Sequence, residues 1–138
     1  MAVINSWNHP DAVERWLGSM AIGRTLNVCC GMSRVGEVRV DTDPNSERTE
    51  DGDMFNLRFE PKSFDTVICD PPFSIYNRFR WIMKLSDLAR KRFTLSHPGV
   101  AVHLPKHWNR TLFALDSGRL FLRYYWVFDA QNEILQGV

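Results

Sequence analysis

A carboxylate, two prolines and an aromatic ring stand together in the run Asp70-Pro71-Pro72-Phe73. The preceding apolar segment, Thr66 to Cys69, has the length of a strand, and open α/β sheets bind ligands at the carboxyl ends of their strands. Because proline has no backbone N–H, the carbonyls of this run can face a ligand. Such a set of groups can hold a planar molecule that carries an NH2. The alternative is a strand followed by a Pro-Pro turn, with Phe73 in the core.

Two strand-like segments precede this motif, and each ends on a residue suited to binding. Leu26 to Gly31 is predicted to be a buried strand that ends in glycine, and Val38 to Asp41 a short strand that ends in an acid. Gly52-Asp53-Met54 follows them. An acidic side chain at the end of the second strand can accept hydrogen bonds from both hydroxyls of a ribose. The alternative for the aspartates is an ordinary role in turns.

In this order the segments resemble the class I S-adenosylmethionine-dependent methyltransferases. Within that class the Asp-Pro-Pro-Phe motif is similar to the (Asp/Asn/Ser)-Pro-Pro-(Tyr/Phe/Trp) motif of amino-methyltransferases, which methylate exocyclic nitrogens of nucleobases or a glutamine amide. The resemblance extends from about Leu26 to Phe73. It implies a Rossmann-like fold and S-adenosylmethionine as the cofactor.

The resemblance also implies which residues bind that cofactor. The first loop of the family matches four positions here, Asn27, Cys29, Gly31 and Ser33. Only Gly31 keeps a glycine of the family loop, so the loop departs from the usual pattern. Asp41 matches the ribose-binding acid. Asp53 matches the residue that accepts a hydrogen bond from the adenine amino group, and Met54 would lie beside the adenine ring.

The four motif residues Asp70, Pro71, Pro72 and Phe73 are implied to be catalytic. The amine of a nucleobase is a poor nucleophile, because its lone pair is delocalised into the ring. Hydrogen bonds accepted from both N–H groups, by the Asp70 carboxylate and the Pro71 carbonyl, would favour a tetrahedral nitrogen in line with the methyl group. Phe73 would stack on the base. Asp70 could also receive the released proton.

The charge distribution favours a nucleic-acid substrate over a protein. Residues 1–70 hold 12 acidic and 7 basic residues, whereas residues 71–138 hold 4 acidic and 10 basic ones. Such asymmetry can make one side of a molecule attract phosphates. The alternatives are a solvated helix face with scattered surface charge, a glutamine amide as the substrate, and a catalytically silent subunit that binds the cofactor. DNA and RNA are not distinguished by these features.

Composition indicates one ordinary globular domain over residues 1–138. The chain is 44% hydrophobic and 24% charged, and no apolar run approaches membrane-spanning length. There is no signal-peptide pattern, so we expect a cytoplasmic protein with its three cysteines reduced. No metal is expected, because Asp41-Thr42-Asp43 and Asp51-Gly52-Asp53 are common turn sequences and the pair His103 and His107 is separated by Pro105.

The hydrophobic pattern predicts an α/β fold with a mostly parallel sheet and one antiparallel strand near the C-terminus. The expected elements are a helix over 9–18, strands over 25–30, 38–41 and 65–70, an amphipathic helix over 75–93, strands over 99–104 and 120–129, and a hairpin partner over 133–138. Pro10 suits the first turn of the first helix, and Gly18 is expected to end it.

The connection between the first two strands of the motif region is too short for a helix. Met32 to Glu37 is six residues, which span roughly 20 Å when extended, against about 15 Å for a strand of four or five residues. The first crossover helix of the usual fold is therefore expected to be missing. Val28 and Val40 would then meet water unless something packs on them.

Two kinds of cover are expected for that sheet face. The N-terminal helix can cover part of it through Val13, Trp16 and Leu17. We expect a homodimer to cover the rest, because a large bare apolar patch usually marks an interface. The alternative is a monomer in which Met1 to Trp7 and the loop around Asn45 fold over the gap.

Overall fold

The computed structural model describes residues 2–4, 10–71, 80–96, 108–116 and 122–130. The secondary structure, in chain order, is β1 (Ala2–Ile4), α1 (Pro10–Met20), β2 (Thr25–Val28), β3 (Val38–Asp41), β4 (Glu50–Asp51), β5 (Phe64–Cys69), α2 (Arg80–Asp87), β6 (Ala89–Ser96), β7 (Trp108–Asp116) and β8 (Leu122–Ala130). Neither described helix is long and apolar enough to cross a bilayer.

All eight strands form one sheet, in the order β1-β7-β8-β6-β5-β2-β3-β4. β8 runs antiparallel to both of its neighbours, β6 and β7, and the other pairs are parallel. The predicted Rossmann-like, mostly parallel sheet with an antiparallel strand near the C-terminus is confirmed. β3 and then β4 follow on one side of β2, whereas β5 and then β6 follow on its other side. The carboxyl ends of β2 and β5 therefore form a topological switch point, where open sheets bind ligands.

The sheet is covered on both faces by two apolar clusters. Successive side chains of β5 point to opposite faces of the sheet, so Val67 lies in the larger cluster and Ile68 lies on the other face. Helix α2 contributes Trp81, Ile82 and Leu85 to the larger cluster. On that opposite face α1 contributes a stripe at helical spacing, Val13, Trp16 and Leu17. The ring of Trp16 lies 5.2 Å from Phe113 and 5.1 Å from Tyr125. α1 thus packs on the sheet face opposite to Val28 and Val40, so the prediction that it covers those two residues is wrong.

The connection from β2 to β3 contains no helix, as predicted, but its consequence differs from the expectation. Val28 and Val40 are completely buried in the larger cluster, so the prediction that they would need outside cover is wrong. The opposite face of β2 presents the polar side chains of Thr25 and Asn27. The Asn27 amide donates to Ser33 and Val35 of the crossover loop, and the Thr25 backbone N–H donates to the carboxylate of Glu37. A short loop can cover this face because the strand offers it polar groups rather than apolar ones.

Two predicted elements differ from the structure. The helix expected over 75–93 is wrong beyond Asp87, because residues 89–96 form β6. Gly18 does not end α1, which continues to Met20 and is followed by Gly23 in a left-handed conformation. β1, β4 and β7 were not predicted. The strand expected over 99–104 and the hairpin partner over 133–138 lie outside the described residues, and β8 pairs instead with β6 and β7.

Candidate functional site

Asp41, at the carboxyl end of β3, organises the loop that follows β2. Its Oδ2 accepts a hydrogen bond from the Gly31 N–H at 2.9 Å, and its Oδ1 accepts one from the Asp43 N–H at 2.9 Å. Each carboxylate oxygen retains capacity for a further donor. Gly31 has φ +53°, and a Cβ built on it would meet no other atom within 4 Å. This backbone conformation favours glycine, and the missing side chain leaves open space beside Asp41.

The same loop is fixed from the other side by a small polar network. The Asn27 amide, only 2% exposed, donates to Ser33 Oγ and to the Val35 carbonyl, both at 3.1 Å. Ser33 Oγ donates to Glu14 Oε1 of α1 at 2.6 Å, and the Arg34 N–H donates to Glu14 Oε2. The hydrogen bond between Asn27 and Ser33 therefore fixes the conformation of the loop. Glu14 was not among the predicted site residues, since its position in the first turns of a helix gave it an ordinary helix-dipole explanation.

The Gly52-Asp53-Met54 segment lies against this loop. A Cβ at Gly52 would approach Val40 Cβ to 3.0 Å, so glycine allows the close approach of the segment to β3. Met54 is buried, and its sulfur lies 3.6 Å from Cys29 Sγ. Asp53 is exposed, and its Oδ1 accepts a hydrogen bond from the Phe55 N–H, as in an Asx turn.

Cys29 links the first loop to the end of β5. Its φ of +56° is unusual for a residue other than glycine. The side chain donates to the sulfur of Met54 and lies beside the thiol of Cys69, which is fully buried. Burial and the contact with Cys29 both raise the pKa of the Cys69 thiol. All three cysteines are free thiols.

Asp70 follows β5 at the switch point, and its N–H donates to the Val28 carbonyl. The Arg123 guanidinium donates from Nη2 to Asp70 Oδ2 at 2.9 Å. Burial raises the pKa of Asp70, while Arg123 and a hydrogen bond with Ser96 oppose that effect. The side chain still keeps 39% of its surface exposed, so a ligand can reach it. The next residue, Pro71, is buried.

The structure brings five predicted residues to one region of the sheet edge, Cys29, Gly31, Asp41, Met54 and Asp70. Pro72 and Phe73 lie outside the described residues. Ser96 and Arg123 also lie at this edge and were not among the predicted site residues. Ser96 reaches Asp70 through the pairing of β6 with β5, and Arg123 through the pairing of β8 with β6. The first part of β6 had been predicted as helix. Since β8 is antiparallel, its first residues lie at the edge where β5 and β6 end.

The basic residues that the structure describes in the second half are divided between the two edges of the sheet. Lys84 belongs to the last turn of α2, and Arg90, Lys91 and Arg92 lie near the start of β6, at the edge away from Asp70. Arg90 there forms an ion pair with Asp65. Arg123 lies at the candidate site. Within the described part of the chain, no cluster of three or more His, Cys, Asp or Glu side chains could hold a metal ion.

Comparison with known proteins finds likeness in structure but not in sequence. No family model and no curated protein matches the chain. The structure is similar to magnesium protoporphyrin IX methyltransferase (ChlM) from Synechocystis PCC 6803 with bound SAM. That likeness has a TM-score of 0.58 and 17% identity, over 86% of this chain and 76% of the other. It is also similar to the PH0226 protein from Pyrococcus horikoshii OT3, with a TM-score of 0.55 and 14% identity over 91% and 92% of the two chains. At these identities the comparisons support the fold.

Proposed function

We propose that this chain is an S-adenosylmethionine-dependent N-methyltransferase that acts on an exocyclic amino group of a nucleobase in DNA or RNA. The observation that carries the proposal is the position of Asp70 at the switch point, partly exposed and beside the loop that Asp41 organises. The likeness in fold to a methyltransferase with bound SAM supports it.

The residues at the ends of β2 and β3 fit a nucleoside cofactor. Asp41 has oxygens that can accept from ribose hydroxyls while they hold the loop, and Gly31 leaves space for close approach. Asp53 is exposed, with capacity to accept a hydrogen bond from an adenine amino group, and the buried Met54 next to it would lie beneath the adenine ring. When bound, the cofactor would supply an electrophilic methyl group on a sulfonium.

Asp70 would prepare the substrate amine for attack. Its carboxylate and the Pro71 carbonyl would each accept a hydrogen bond from the NH2 group, which localises the nitrogen lone pair and orients it. Burial raises the pKa of Asp70, which makes the carboxylate a better acceptor for the proton that the amine loses. Stacking of the base on Phe73 completes the proposal.

Two features favour a nucleobase over a glutamine amide. The motif carries Asp before Pro-Pro, whereas the glutamine enzymes of the resembled class mostly carry Asn. The second half of the chain is basic in composition, and one of its described cations, Arg123, lies at the site in an ion pair with Asp70. We also propose a cytoplasmic location, because the three cysteines are free thiols and the cytoplasm keeps thiols reduced.

The test is transfer of labelled methyl from S-adenosylmethionine to DNA, tRNA, rRNA and protein pools. Label in an N-methylated nucleoside, lost with Asp70→Ala and kept with Asp87→Ala, is the expected result; Asp87 is an exposed aspartate at the opposite edge. Label confined to protein would refute the nucleobase as substrate. Absence of label in every pool would refute the enzyme activity.

A further inference from the structure

The ion pair between Arg123 and Asp70 lies in the proposed active site but adds little to stability. Asp70 is 39% exposed and Arg123 is 44% exposed. Pairs as open to solvent as this one contribute little to folding, because water screens them and the long side chain loses rotamer freedom. A role in the chemistry explains the pair better than a role in stability.

The surroundings of Asp70 create a need for such a partner. Burial favours the neutral acid, and a neutral carboxyl carries a proton on one oxygen. An acid of this kind would donate a hydrogen bond where the proposed chemistry requires it to accept one. The thiols of Cys69 and Cys29 lie nearby and supply no positive charge. Arg123 from β8, with the hydroxyl of Ser96 from β6, supplies the interactions that favour the ionised form.

Arg123 lies against the ring of Tyr125, and that ring in turn packs against α1. Its guanidinium lies 5.9 Å from the centre of the Tyr125 ring, two residues further along the same face of β8. Tyr125 is buried, and its other contacts include the ring of Trp16 from α1 at 5.1 Å. The guanidinium therefore approaches Asp70 from a rigid support.

We propose that Arg123 is a positioning residue that binds Oδ2 of Asp70, keeps Asp70 ionised, and leaves Oδ1 to accept an N–H of the substrate amine. This inference rests on the proposed function for its meaning, although the coupling of the two side chains can be measured without it. Because Oδ2 of Asp70 is bound to Arg123, the second N–H of the amine would donate to the Pro71 carbonyl. The site would then suit a primary amine.

The experiment measures the pKa of Asp70 in the free protein by carbon NMR of its carboxyl group. An opposite charge at this distance typically lowers a carboxyl pKa by about 1–3, and the exposure of this pair favours the lower end. Arg123→Met should therefore raise the pKa of Asp70 by about one, and Arg123→Lys by less. Arg90→Met is the matched control, because it removes a similarly exposed arginine from the ion pair with Asp65. It should leave the pKa of Asp70 unchanged.

The rate profile provides the second readout. The acidic limb of the plot of kcat/KM against pH should move to higher pH with Arg123→Met, by the same amount as the pKa of Asp70. Arg123→Lys should reverse part of this shift. An unchanged pKa in Arg123→Met, or one that moves equally in Arg90→Met, overturns the proposal. If the wild type transfers no methyl group, the proposed function fails, while the NMR titration still decides whether Arg123 keeps Asp70 ionised.

Discussion

Replacing Asp41, at the end of β3, should weaken cofactor binding more than any single substitution in the loop that follows β2. In the free protein its two oxygens accept the N–H groups of Gly31 and Asp43. Two ribose hydroxyls would add two hydrogen bonds to a charged acceptor, worth about 1.5–3 kcal/mol each. Because Asp41 is half-exposed, we take the lower end, about 3 kcal/mol in total, which is roughly 150-fold in Kd. Asp41→Ala should lose this factor in calorimetry with S-adenosylhomocysteine.

Two further variants, Asp41→Asn and Asp43→Asn, test whether the loss of affinity comes from the Asp41 carboxylate itself. The amide of Asp41→Asn keeps one acceptor oxygen, so it should lose about half of the free energy, or roughly tenfold in Kd. Asp43 lies in the same loop and accepts only the local Asn45 N–H among its described side-chain bonds, so Asp43→Asn should bind like the wild type. Circular dichroism must show each variant folded. Equal losses in Asp41→Asn and Asp43→Asn, or full affinity in Asp41→Ala, would refute the reasoning.

Three further outcomes are expected. Asp70→Ala should reduce methyl transfer by about a hundredfold or more with little change in affinity for S-adenosylhomocysteine, measured by single-turnover kinetics and calorimetry; a wild-type rate would contradict the mechanism. The Arg24 N–H and then Arg90 lower the pKa of Asp65, so Asp65→Ala should cost about 1–3 kcal/mol at pH 7 in urea unfolding. That cost should disappear as the pH falls below about 4 and through the lowered folded pKa; a pH-independent cost would exclude the charge as its source. Because Val28 and Val40 are buried within one chain, sedimentation equilibrium at micromolar concentration should give a single 16.1 kDa species, and twice that mass would restore the homodimer.

The central strands were predictable because their sequence pattern agrees with their environment. The apolar runs of β2, β3 and β5 each end in a turn residue or an acid, and parallel strands place those ends on one edge of the sheet. Asp41 and Asp70 could therefore be assigned to the same edge from the sequence. The absence of a helix between β2 and β3 followed from the number of residues available.

β6 could not be predicted because its pattern is that of a helix. Leu85, Ala89 and Phe93 recur at a spacing of four, and Phe93 to Ser96 are all buried, so the alternation typical of a half-exposed strand is missing. The same error hid Arg123, since only the pairing of β8 beside β6 brings it to Asp70. Covering of the β2 face by its own crossover loop likewise depends on Asn27, whose buried amide has no local sequence signature.

Calorimetry of the wild-type chain with S-adenosylhomocysteine tests the central claim most directly, because every proposed step requires this binding site. The account predicts one site per chain, with competition by S-adenosylmethionine and loss of affinity in Asp41→Ala. No detectable binding at millimolar ligand, by a chain shown to be folded, would contradict the account.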